Sequence, residues 1–183
     1  DFEADAGYLT RTGLTSGSLA LTPKVYPKSA WLRRLDGNLT ASALKDQDSG
    51  LTEHDHAFGA TAILQGNAAL SFAIHDASEV FLGQRFRTDG LNLSARNQFS
   101  KSLSLQASYR RGKSIRYTAE PFQGRGSQAS AALVWQPTDN LNLTLNWTHA
   151  DLSKEATGEK VYNYHIYRSR LAYQVNAYLS FRG

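Results

Sequence analysis

The chain has 183 residues, 41% of them hydrophobic, no cysteine and a formal net charge of +4. The missing thiols exclude a disulfide framework and a thiolate metal site. No apolar run approaches the length of about 18 residues that a spanning helix needs, and the basic residues are too scattered to form a nucleic-acid patch.

What remains is alternation. Eleven strands are expected, near 2–10, 13–22, 30–44, 53–65, 68–77, 88–99, 103–112, 126–136, 141–149, 160–175 and 177–183. Along them apolar and polar residues trade places with period two, as in Leu91, Leu93 and Ala95 against Asn92, Ser94 and Arg96. Leu103, Leu105, Ala107 and Tyr109 do the same against Ser104, Gln106, Ser108 and Arg110, and Leu141 to Trp147 against Asn142 to Thr148. Strict alternation places one apolar and one polar face on each strand. The four prolines, Pro23, Pro27, Pro121 and Pro137, all fall in expected connections, where a missing N–H harms no ladder.

Connection lengths alternate too. Short turns are expected at 65–67, 100–102, 137–140 and 175–176, and longer loops near 45–52, 78–87, 112–125 and 150–159. Ten-residue alternating strands with two loop-length classes are the pattern of an antiparallel up-and-down transmembrane β-barrel. A low mean hydropathy of −0.44 fits, because half of each strand faces a polar lumen. A soluble β-sandwich shares the short strands but not the strict loop alternation.

The apolar face then takes Leu35, Leu39, Ala41, Ala43, Phe58, Ala60, Ala62, Leu64, Leu70, Phe72 and Ile74, with aromatics at strand ends (Phe99, Tyr109, Trp135, Trp147, Tyr173) as interfacial girdles. The inward face takes Asp36, Asn38, Thr40, Gln106, Ser108, Gln128, Asn142, Thr144 and Asn146. Arginine on a lipid face costs about 2–4 kcal/mol near the midplane, so Arg96, Arg110, Arg168, Arg170 and Arg182 are expected inside, as a basic ladder on neighbouring strands that favours anions.

Other clusters offer less. His54 and His56 share a strand face and would present two imidazoles to one metal, without a third ligand. His75-Asp76 and His149-Asp151 sit near outer strand ends, where a nucleophile–base–acid triad would need mutual hydrogen-bond reach. Asn38, Asn92, Asn142 and Asn146 match the glycosylation pattern only as a product of alternation. Gly124-Arg125-Gly126 lacks the strand–loop–helix setting of a phosphate cradle. Neither a catalytic constellation, a metal site nor a cofactor is expected.

Three stretches carry a resemblance. They are Asp1-Phe2 through Gly7-Tyr8 to Arg11-Thr12, Trp135-Gln136-Pro137 followed by Leu141-Asn142-Leu143, and Arg168 to Asn176 followed by Tyr178 to Arg182. Together they resemble the C-terminal outer-membrane barrel of bacterial envelope proteins that carry an N-terminal domain similar to family-nine carbohydrate-binding modules. The resemblance implies a bacterial outer-membrane location and a barrel of uncharacterised function, and carries over no functional residue. It also implies further strands after Gly183, so residues 1–183 read as one domain, an incomplete section of a larger barrel. The expected partners are outer-membrane lipid, the missing strands or other envelope subunits, and a glycan, with a pore or scaffold role, an anchor for a surface module, or a glycan hydrolase as the alternatives.

Overall fold

The computed structural model describes residues 14–47, 50–176 and 179–183. The expected strand at 2–10, and with it the Asp1–Thr12 stretch of the resemblance, lies outside the described residues. The described residues form one antiparallel sheet of 12 strands. These are β1 (Leu14–Leu21), β2 (Lys24–Val25), β3 (Leu32–Asp46), β4 (Thr52–Leu64), β5 (Ala69–Phe81), β6 (Gln84–Arg87), β7 (Gly90–Ser100), β8 (Leu103–Arg116), β9 (Phe122–Thr138), β10 (Leu141–Lys154), β11 (Lys160–Gln174) and β12 (Ser180–Arg182).

Each strand lies beside its neighbour in sequence, in the order β1-β3-β4-β5-β7-β8-β9-β10-β11-β12, with β2 beside β3 and β6 beside β5. The meander is therefore up-and-down, as the loop pattern predicts. The sheet is not closed: among the described residues β1 pairs with β3 alone and β12 with β11 alone.

The strands reach further than alternation suggests. β5 runs to Phe81, β6 covers Gln84–Arg87, β8 runs to Arg116, and β9 starts at Phe122, so two of the expected long loops, 78–87 and 112–125, are mostly paired strand. Apolar residues there fall on both faces, as the successive Val80 and Phe81 do, which blurs the period-two signal while leaving the ladder pairing intact. The loop expected over 78–87 is a hairpin of β5 and β6, closed by Leu82 and Gly83 at φ 48° and 73°. Two successive positive φ angles are the geometry of the tight hairpin turn that matches strand twist.

Pro23 splits what is otherwise one edge strand. Leu21 pairs with Leu39 and Lys24 with Asp36 in a single continuous register, and the Gly37 N–H donates to the Pro23 carbonyl at 2.8 Å. A Cβ at Gly37 would meet the Pro23 ring at 2.9 Å, so the glycine makes room for the proline. Among the described residues one side of this strand's backbone has no ladder to lose, so it tolerates the break.

Candidate functional site

Antiparallel register decides which side chains share a face, since directly opposed residues point the same way. One polar row crosses seven paired strands: Asp36, Thr61, Ser71, Ser94, Ser108, Ser130 and Thr148, on β3, β4, β5, β7, β8, β9 and β10. Two rungs are joined by hydroxyl–hydroxyl hydrogen bonds, Thr61–Ser71 at 2.9 Å and Ser108–Ser130 at 2.8 Å. Two residues along each strand runs a second row, Asn38, Gly59, Ala73, Asn92, Arg110, Gln128, Ala150 and Tyr164.

These two rows line a single cavity of about 830 Å³ that touches residues from Thr22 to Tyr164. One cavity reached from β2 and from β11 requires the sheet to curve around it, so the polar face is concave. Its lining is small. Serine, threonine, glycine and alanine dominate, leaving open volume where bulky side chains would fill a small barrel.

The convex face is apolar and uncovered. Leu35, Leu39, Phe58, Leu70, Phe72, Ile74, Leu93, Leu105, Trp135, Leu145, Leu171 and Tyr173 are all exposed, and all lie on this face by register. Asn97 and Ser169 are polar interruptions in it. Among the described residues the buried hydrophobic ones are Ala69, Ala77, Val80, Phe86, Ile115, Ala150 and Leu152, several of them at or near the loop-end hairpins, and they form no central core that hides the rest.

The apolar belt ends in polar side chains on the loop side, along a stepped line. On β4 and β5 the first polar residues are His56 and Asp76, which pair with each other. One row lower, Phe58, Ile74 and Leu91 are apolar on β4, β5 and β7, while Arg111 and Ser127 are polar on β8 and β9. One row lower again, His149 and His165 pair on β10 and β11. The edge thus shifts by four residues across six strand spacings. That is about 13 Å along the strands over about 29 Å across them, an inclination of roughly 25°. Strands of a barrel are tilted, and a level boundary drawn around tilted strands steps in this way.

The predicted basic residues divide. Arg96 pairs with Gln106, Arg110 lines the cavity, Arg168 pairs with Asn146, Arg170 with Thr144 and Arg182 with Ala172. All five share the concave face by register, but not as a ladder on neighbouring strands. β7 and β8 carry one pair and β11 and β12 the other three, with β9 and β10 presenting Gln128, Ser130, Asn146 and Thr148 between them. The concave face also carries Asp36, held by Arg34 at 2.8 Å, and Asp55 opposite Ser42 and Ala77.

The histidines fall on both faces. His75 is concave, whereas His54, His56, His149 and His165 are convex. The rings of His54 and His56 stack at 5.3 Å, yet His54 does not stand ready as a ligand. Its Nδ1 lies 2.9 Å from Ser78 Oγ, and its Nε2 faces Asp76 at 3.6 Å. Asp76 in turn meets Arg87 at 3.0 Å, and Arg87 meets Asp89 at 2.8 Å. Among the described residues no three His, Asp or Glu side chains form a metal cluster.

Ser78, His54 and Asp76 thus adopt the order of a hydrolytic triad, which sequence left unconnected. One detail opposes that chemistry: Ser78 is buried, at 6% exposure. A second knot joins Ser127, Asp151 and His149, with His149 Nε2 at 3.3 Å from Asp151 and Nδ1 at 3.1 Å from the Tyr164 carbonyl. Both knots tie adjacent strands together at the polar edge.

The hydroxyl row was missed because its members look ordinary strand by strand. Counting outward from each hairpin turn would have aligned them. The chain matches no family model, no curated protein and no solved structure.

Proposed function

We propose that the chain is a membrane-embedded section of a bacterial outer-membrane β-barrel whose concave face lines a hydrated path for small polar solutes. The observation that carries this reading is the inversion of polarity: apolar side chains exposed across the convex face, hydroxyls and amides around the cavity. In water a continuous apolar face of this extent is a liability. In a bilayer it is the required surface, and every backbone group between paired strands is already satisfied, as hydrocarbon demands. Strands of 11 to 17 residues from β3 to β11, the short β6 apart, exceed the 9–11 or so that a tilted crossing needs.

The small lining favours a path over a plain anchor, because an anchor has no use for an unfilled interior. The resemblance of the three sequence stretches supports grouping the chain with the barrels associated with family-nine-like carbohydrate-binding domains. Hydrogen bonding along the path comes mostly from neutral hydroxyls and amides, with the arginine groups biasing it toward anions. Reconstitution in planar bilayers tests this. The expected outcome is a conductance whose anion preference falls in an Arg96→Ala/Arg110→Ala variant; the same selectivity in both proteins would remove the arginines from the role.

A further inference from the structure

We infer that the convex face carries a seat for one anionic phospholipid, an acyl groove topped by Arg111 and Arg125; the inference rests on the membrane reading above. The groove, about 530 Å³, runs across β3, β4, β5, β7 and β8. Its floor is low because Ala60, Ala62, Ala95 and Ala107 stop at Cβ, while Phe72 and Tyr109 stand above it. An alkyl chain lying there touches protein on its flanks as well as beneath, which multiplies dispersion contacts that are individually small.

The cations stand at the loop-side end of this groove. Arg111 lies two residues beyond Tyr109 on the same face, about 7 Å further along β8. Ser127 is the register partner of Arg111 and Lys113 that of Arg125. The two arginines are therefore diagonal neighbours on adjacent strands, about 7–8 Å apart at Cβ. Both are exposed.

The nearby charges are already matched. Lys113 meets Glu155 at 2.6 Å, Arg87 meets Asp76 and Asp89, and Asp151 is engaged by Ser127 and His149. The ion pairs among the described residues leave Arg111 and Arg125 without a carboxylate. Two unmatched guanidinium forks at the edge of an apolar belt complement a phosphate whose ester chains run down that belt. An anionic amphiphile satisfies both halves of the seat at once.

Quenching by brominated lipid tests the seat. Trp147 shares a row with Ala131 and Ala107, so it reports from two strands away once Trp31 and Trp135 are replaced by Phe. The reporter protein is reconstituted in phosphatidylcholine vesicles doped with either brominated phosphatidylglycerol or brominated phosphatidylcholine. Brominated phosphatidylglycerol is expected to quench at an about 25-fold lower mole fraction, about fivefold for each arginine. Arg111→Gln/Arg125→Gln should bring the two lipids level while leaving quenching by phosphatidylcholine unchanged. Equal quenching by both lipids in the reporter protein, or a preference that survives the double substitution, overturns the seat and leaves the membrane reading standing. No quenching by either lipid overturns both.

Discussion

Replacing Leu105 by arginine separates a membrane face from a soluble one. Leu105 is 37% exposed in the middle of the belt, opposite Leu133, which in turn faces Leu145. In water, an arginine at a position so open reaches solvent, and surface substitutions of this kind stay within about 0.5 kcal/mol. In a bilayer the same charge sits near the midplane and costs about 2–4 kcal/mol. Leu105→Ala removes the leucine contacts in either setting, so the difference between the Arg and Ala variants isolates the charge. Guanidinium unfolding of vesicle-inserted protein, followed by tryptophan fluorescence, measures it. With a slope of about 4 kcal/mol per molar, the Arg variant should unfold roughly 0.5–1 M earlier than the Ala variant. Ser94→Arg, on the concave face, should shift the midpoint far less. Coincident curves for Leu105→Arg and Leu105→Ala would refute the claim that this face meets lipid.

Gly126→Val should cut folding yield sharply and cost at least about 1–3 kcal/mol, because a Cβ there overlaps the Asp151 carbonyl oxygen; Gly17→Ala, with open space around it, should be neutral by the same unfolding assay. The Tyr117 phenol donates to Glu79 at 2.8 Å, and burial together with that bond pushes its ionisation up to about 12 from the ordinary 10.0. A group whose folded value is raised contributes stability below its unfolded value and loses it as pH climbs through the folded one. The wild-type advantage over Tyr117→Phe should therefore hold below pH 10 and fade toward 12, read as the pH dependence of the two unfolding midpoints. A gap that stays constant across that window would mean the phenol–carboxylate bond contributes nothing.

The strand order, the two faces and the concave placement of all five arginines were legible from alternation alone, because each depends only on period two and neighbour-to-neighbour pairing. What sequence blurred has physical causes. The β5–β6 hairpin was hidden because charged and apolar residues share each face there, Glu79 opposite Phe86 and Val80 opposite Arg85. The spacing of Arg110 from Arg168 depends on how many strands intervene, and alternation counts faces, not distances. The Ser78–His54–Asp76 contact needs the register of β4 on β5, which no single strand encodes. The hydroxyl row is similar: Ser94 or Ser130 alone is an unremarkable polar residue, and only the shared register makes them one line.

The meander has a consequence for how the chain assembles. From β3 onward, the long pairings join strands that are neighbours along the chain, through connections of two to five residues where the turn is described, except β5 and β7, which are joined through the β6 hairpin. The entropy lost in closing such short loops is small, and hairpins formed from them are quick to nucleate. Each completed hairpin then presents a straight ladder of N–H and C=O groups to the next, so growth can proceed stepwise from one edge without any distant segment arriving first. Slow search over non-local contacts, which delays most all-β proteins, is largely absent from the described sheet.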